Sequence, residues 1–174
     1  MDETADPRER LVRDALDAYK EEYTELSETW RNLDAKAQGT IAICGIFLAG
    51  MLAFVRTLSA TATTCEQWLL TITAALLGLS IFFALLVLRV QTVQSPPIGE
   101  SLDTIISELL AAEDGMTPER LLNYSHDQTR MWSTTNRDVG RVNDNKAGNL
   151  IKAQYILVGA IGCVVAFTLM KIWG

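Results

Sequence analysis

The chain has 174 residues, of which 49% are hydrophobic, yet its formal net charge is -6. An acidic balance disfavours binding to nucleic acid polymers, which requires a basic surface, and long uncharged runs disfavour a soluble domain. The charged and apolar residues are segregated along the chain, which is typical of a membrane protein with a polar region outside the bilayer.

Residues 1–36 predict a long N-terminal helix with a heptad seam. Apolar side chains recur at intervals of four and three residues, and no proline or glycine interrupts the pattern after Pro7. The positions between them are rich in carboxylates, which anionic lipid would repel, so we expect the helix to pack on a partner. The seam consists of Val12, Leu16, Tyr19, Tyr23, Leu26, Trp30, Leu33 and Ala37.

Three apolar runs predict transmembrane helices at residues 37–55, 68–88 and 153–171. At about 1.5 Å of rise per residue the first run spans about 28 Å, close to the hydrocarbon thickness of a bilayer. Lysine and arginine are concentrated before the first span and between the second and third, whereas the loop at residues 56–67 has only Arg56. The positive-inside rule therefore predicts a cytosolic N-terminus, a cytosolic region at 89–152, and a C-terminus outside.

The second cytosolic region predicts two more helices. A short amphipathic helix is expected at residues 100–113. A long helix is expected from Pro118 into the third span, with Thr117 as its N-cap. Gly140, Gly148 and the Asn143-Asp144-Asn145 cluster weaken its continuity and allow a bend near the membrane. The predicted fold class is an all-α membrane protein with three transmembrane helices, of which spans 1 and 3 extend into a cytosolic helical bundle.

No catalytic or metal-binding constellation is recognisable, so we expect a chain that is not an enzyme and has no cofactor. The spans lack the ionisable residues that transporters place in the membrane. His126 and Asp127 are adjacent on a predicted helix and so point in different directions. Cys44 and Cys163 lie in spans, and Cys65 in the outer loop either pairs between subunits or stays a free thiol.

One group of cytosolic residues is suited to an anionic ligand. Guanidinium groups bind phosphate with paired donors, and an aromatic ring can stack on a base. The alternative is that the arginines pair with the acidic N-terminal helix, as oppositely charged surface helices commonly do. The candidate ligand-binding residues are Tyr124, Arg130, Trp132, Arg137 and Arg141.

An Asp-x-Lys pattern occurs at the cytosolic boundary of both spans 1 and 3. It comprises Asp34 and Lys36 in the first copy, and Asp144 and Lys146 in the second. The lysines fit the positive-inside rule, and the aspartates are placed to brace neighbouring helices at the lipid boundary.

The residues around the first copy carry a resemblance. LDAKAQGTIAICGIFLAGMLAF, from residue 33 onward, resembles the D-x-K-A start of the first span in Pycsar transmembrane effectors of bacterial anti-phage defence, with SLATT-type effectors as near neighbours. The start of the third span is similar in the spacing of Lys146, Leu150 and Tyr155. The resemblance covers the spans and their boundaries, about half of the chain, and no motif aligns over residues 100–141.

The resemblance implies a membrane effector in the bacterial inner membrane. A partner cyclase would make a cyclic nucleotide on infection, the cytosolic helices would bind it, and copies of the chain would assemble and disrupt the membrane, causing abortive infection. The expected partners are thus the lipid bilayer, a cyclic nucleotide and further copies of the chain. The alternative is a non-enzymatic membrane anchor or scaffold that docks a cytosolic partner through the N-terminal heptad helix.

Overall fold

The computed structural model describes residues 7–57, 63–93, 107 and 117–173. These residues form three long α-helices and no strand, which confirms the all-α prediction. The helices are α1 (Pro7–Thr57), α2 (Thr64–Leu88) and α3 (Pro118–Trp173), and each is long and apolar enough to cross a membrane. The predicted short helix at 100–113 lies outside the described residues except for Ser107, which is helical.

Helix α1 is unbroken from its first turn into the apolar run, as the uninterrupted seam predicts. Pro7 is its first residue, where the missing N–H of proline has no cost. The seam residues from Val12 to Leu33 are half-buried and Ala37 is fully buried, whereas the carboxylates between them are exposed. The seam is therefore the face of α1 that packs against the rest of the chain.

Helix α2 begins at Thr64, ahead of the predicted span at 68–88. The cause is a capping box. The Thr63 hydroxyl accepts from the backbone N–H of Glu66, and the Glu66 carboxylate accepts from the backbone N–H of Thr63. This reciprocal pair satisfies two backbone N–H groups at the start of the helix. The polar residues from Thr64 to Gln67, which composition assigns to the loop, therefore form the first turn of α2.

Helix α3 begins as its sequence predicts. Thr117 accepts a hydrogen bond from the backbone N–H of Arg120, and Pro118 occupies the first helical position. Gly140 and Gly148 do not interrupt α3, which continues as one helix to Trp173. An isolated glycine costs about 1 kcal/mol in a helix interior, which the packing of a 56-residue helix easily exceeds.

The chain divides into two compact units. The first comprises Met1–Thr29 and Gln91–Val142, and the second comprises Trp30–Val90 and Asn143–Gly174. The second unit contains all of α2 and two clusters of buried side chains. One cluster surrounds Cys44, Leu77, Leu157 and Ala160, and the other surrounds Ala37, Val87 and Leu150. Helices α1 and α3 each contribute residues to both units.

Candidate functional site

A buried lysine in the second unit joins α1 to α3. The ammonium nitrogen Nζ of Lys146 lies 2.6 Å from Oδ1 of Asp34 and 4.1 Å from the centre of the Trp30 ring. The Lys146 side chain is 2% exposed and the Asp34 side chain is 30% exposed. A charge-assisted hydrogen bond and a cation–π contact together compensate a cation that the fold has removed from water.

The heptad pattern explains why these three residues meet. Trp30 and Asp34 are four residues apart, so they share one face of α1, and the buried Ala37 continues it. Lys146 lies between the buried Val142 and Leu150 on α3. Sequence reasoning selected Asp34 and Lys146 but did not include Trp30, which was assigned only to the seam.

The two copies of the Asp-x-Lys pattern are used differently. Asp34 of the first copy and Lys146 of the second form the pair, whereas Lys36 and Asp144 are both exposed. Residues two positions apart on a helix face different directions, so one member of each copy turns to the neighbouring helix and the other turns outward. The structure therefore brings together one residue from each copy.

A second interhelical contact in the same unit consists of small polar groups. The hydroxyl of Ser80 on α2 donates to the backbone carbonyl of Ala153 on α3 over 2.8 Å. The thiol of Cys44 on α1 donates in turn to the Ser80 oxygen over 3.5 Å. All three residues are fully buried. Hydrogen bonds of this kind support helix association in lipid, because burying apolar side chains between helices there contributes little free energy of association.

An ion pair links α2 and α3 near the C-terminal end of the chain. Lys171 Nζ lies 2.5 Å from Oε1 of Glu66, whose side chain is 11% exposed. Glu66 thus caps its own helix and also pairs with α3. The sequence signal was the Thr63-x-x-Glu66 spacing, which the assignment of residues 56–67 to a loop passed over.

In the first unit, α1 and α3 meet through aromatic and amide side chains. The rings of Tyr23 and Trp132 contact edge to face with centroids 5.4 Å apart. The amide nitrogen of Asn136, a buried residue, donates to the Tyr19 carbonyl and to the Glu22 carboxylate, both over 2.8 Å. These contacts place Asn136 of α3 beside residues 19–22 of α1, on the face that carries Tyr19 and Tyr23 of the seam.

The five candidate ligand residues do not form one group. Arg130, Arg137 and Arg141 are exposed along one side of α3, and Arg141 lies 3.7 Å from Asp138 on its own helix. Trp132 is about 200° around the helix from Arg130 and faces α1. Tyr124 is half-buried. The structure therefore separates the guanidinium groups from the Trp132 ring.

The alternative, that the arginines pair with the acidic helix, is not what the structure contains. Arg130 and Arg137 make no ion pair with any residue in the described part of the chain, and Arg141 pairs within α3. Helices α1 and α3 contact each other through Tyr19 and Tyr23 of α1 and their partners. The Glu22 carboxylate also lies at this contact, where it accepts a hydrogen bond from the Asn136 amide.

A cavity of about 390 Å³ lies in the second unit among α1, α2 and α3. Its walls are apolar and aromatic, and the two threonines among them donate their hydroxyls to carbonyls of their own helices. Such walls suit an apolar group and offer no donor for a phosphate. The lining residues are Ile46, Phe47, Gly50, Met51, Phe54, Leu70, Thr73, Val164, Phe167 and Thr168.

Among the described residues no cluster of three or more His, Cys, Asp or Glu could hold a metal ion. His126 and Asp127 are both exposed. Cys44, Cys65 and Cys163 are free thiols.

The chain matches a known protein family. The family described as the Pycsar effector protein domain matches residues 18–173. No curated protein and no solved structure matches the chain. The match spans nearly the whole chain and includes segments of both units.

Proposed function

The chain belongs to the Pycsar effector family, and on this premise we propose that it binds a cyclic nucleotide and then permeabilises the membrane that holds it. The family makes it a multi-pass membrane effector of anti-phage cyclic nucleotide signalling. The proposal concerns the steps within that role: nucleotide binding in the first unit, assembly of copies, and loss of inner-membrane integrity.

The extent of the family match is the observation that carries this proposal. It begins at residue 18 and ends at residue 173, so it includes polar helical segments as well as the apolar runs. A protein that served only as an anchor would need the apolar runs alone. The polar segments of α1 and α3 are thus part of what the family shares, and we assign nucleotide sensing to them.

Binding in the first unit has a direct physical consequence. A base that stacked on Trp132 would compete with the Tyr23 ring, which contacts it at 5.4 Å. Nucleotide binding would separate α1 from α3 where the two rings now meet.

The separation would reach the second unit through the helices themselves. Both α1 and α3 are unbroken and contribute to both units. In the second unit the same two helices are joined by Lys146 and Asp34. A ligand shifts the equilibrium between two arrangements of the helices only if it binds one arrangement more tightly than the other. Replacing the Tyr23–Trp132 contact by a base–Trp132 contact would supply that difference in affinity.

The scaffold alternative loses support from the packing of the seam. Tyr19 and Tyr23 contact Asn136 and Trp132 of the same chain. A partner docking through this part of the seam would have to displace these contacts.

A test in cells uses a potential-sensitive dye. Bacteria expressing the chain together with an active nucleotide cyclase are expected to depolarise and stop growing, and cells with a catalytically inactive cyclase are expected to keep their potential. A panel of cyclases that make cAMP, cGMP, cCMP or cUMP identifies the signal. Unchanged membrane potential with every active cyclase would contradict the proposal.

A further inference from the structure

Two oppositely charged stripes lie on the outer faces of the first unit. The acidic stripe on α1 consists of exposed residues spaced three or four apart, which places them on one side of the helix. The arginine stripe on α3 consists of exposed residues seven and four apart, also on one side. The acidic stripe comprises Asp14, Asp17, Glu21, Glu25 and Glu28, and the arginine stripe comprises Arg130, Arg137 and Arg141.

The stripes lie at the same level of the first unit. Asn136 donates to the Tyr19 carbonyl and the Glu22 carboxylate, so the neighbouring Arg137 lies level with Glu21. Among the described residues, neither stripe forms an ion pair with the other helix. Their internal ion pairs are Asp17 with Lys20 at 3.3 Å and Arg141 with Asp138 at 3.7 Å, both on the solvent-exposed surface of a single helix.

We propose that the acidic stripe of one copy docks on the arginine stripe of the next copy. This inference rests on the proposed function, in which copies assemble in one bilayer. Because all copies insert with the same orientation, stripes at the same level in each copy meet at the same level in the assembly. Opposite charges attract there, whereas contacts between two acidic stripes or two arginine stripes repel.

The length of the arginine stripe favours a helical partner over a nucleotide as its occupant. Arg130 and Arg137 are about 10 Å apart along the helix axis, and Arg141 lies about 6 Å farther. One cyclic nucleotide carries a single anionic phosphate and contacts one or two of these side chains. A row of carboxylates on a helix, repeating every three or four residues, contacts all three.

The contact joins unlike surfaces and is therefore heterologous. Each docking event leaves one acidic and one arginine stripe open, so association continues until a ring closes or a chain extends. A single exposed ion pair contributes little, but several pairs between molecules confined to one membrane act together. The docking thus supplies a route to assemblies larger than a dimer.

Two complementary variants test the docking. Arg130→Glu/Arg137→Glu gives the α3 stripe a net negative charge, so that both stripes are acidic. Glu21→Arg/Glu25→Arg/Glu28→Arg gives the α1 stripe a net positive charge, so that both stripes are basic. Differently tagged full-length copies are co-expressed, solubilised in mild detergent and purified through one tag. Each variant paired with itself is expected to co-purify at least about tenfold less than wild type, and the two variants mixed together are expected to co-purify at near wild-type levels. The charge-conserving control Arg130→Lys/Arg137→Lys is expected to behave as wild type.

Salt gives an independent measurement on the unmodified chain. Raising the ionic strength from about 0.05 M to about 0.5 M shortens the screening length severalfold and is expected to weaken co-purification of wild-type copies. Salt-independent co-purification, or variants that associate with themselves as well as wild type does, would overturn the docking.

Membrane leakage separates failure of the docking from failure of the proposed function. If wild type leaks on nucleotide addition and both variants leak equally, the docking is overturned and the proposed function stands. Loss of nucleotide-triggered leakage in the arginine variant with unchanged co-purification also overturns it, and assigns the arginines to the nucleotide. Wild type that neither leaks nor co-purifies overturns both.

Discussion

The Asp34–Lys146 pair yields an asymmetric prediction for stability. Asp34→Ala leaves the Lys146 cation 2% exposed and without its carboxylate, which costs about 3–5 kcal/mol of unfolding free energy. Lys146→Met keeps the apolar stem and leaves a carboxylate that is 30% exposed and can be hydrated. Its cost is about 1–2 kcal/mol, from the lost charge-assisted hydrogen bond and ring contact.

The double variant Asp34→Ala/Lys146→Met has no buried cation. Its unfolding free energy should therefore lie within about 1 kcal/mol of that of Lys146→Met. Equilibrium unfolding in mixed micelles of mild detergent and dodecyl sulfate, followed by circular dichroism, measures the cycle. Lys36→Met is the matched control, because Lys36 is the exposed lysine of the same pattern, and it should change stability by less than about 0.5 kcal/mol. Equal costs for the two single variants, or strict additivity, would refute the reasoning.

Three further predictions concern the other contacts. Trp132→Ala removes the ring that Tyr23 contacts and should cost about 3 kcal/mol, measured by the same unfolding assay, while Trp132→Phe should retain most of it; equal losses would contradict the ring contact. Ser80→Ala removes the bond to the Ala153 carbonyl and should cost about 0.5–1.5 kcal/mol, and a neutral result would show that the bond adds nothing. Gly45 is exposed, and a Cβ added there meets no atom within 4 Å, so Gly45→Leu should lower stability by less than about 0.5 kcal/mol. A larger loss would show that the Gly45 face of α1 is packed.

Much of the fold could be predicted because it depends on local patterns. The seam from Val12 to Ala37 is a periodic signal over many turns, and the structure buries that face of α1. The start of α3 at Pro118 follows from a threonine cap and the fixed φ of proline. The family was also recognisable from the residues at the span boundaries, and the match to residues 18–173 confirms it.

The sequence was less informative wherever two helices had to be placed relative to each other. Glu66 forms a capping box and pairs with Lys171, but only the first of these is visible in local spacing. Ser80 and Ala153 are far apart in the chain, and nothing in either neighbourhood marks their hydrogen bond. The same limit affects the ligand candidates, since their side of the helix depends on how α3 is rotated against α1.

The Asp-x-Lys pattern lies between these cases. Its repetition at two span boundaries identified the residues, and the braced helices were predicted. The cross-pairing of Asp34 with Lys146 was not, because choosing it over Lys36 with Asp144 requires knowing which residue of each copy faces the neighbouring helix. In the structure Lys146 is buried beside Asp34, whereas Lys36 and Asp144 are exposed.

Dye release from liposomes tests the central claim most directly. Purified full-length chain is reconstituted into vesicles of bacterial phospholipid loaded with a self-quenched dye, and cAMP, cGMP, cCMP and cUMP are added separately. We predict rapid release with at least one cyclic nucleotide and none with the corresponding linear 5′-monophosphate. Vesicles that stay sealed with all four nucleotides would contradict the claim that the chain turns a cyclic nucleotide signal into membrane permeabilisation.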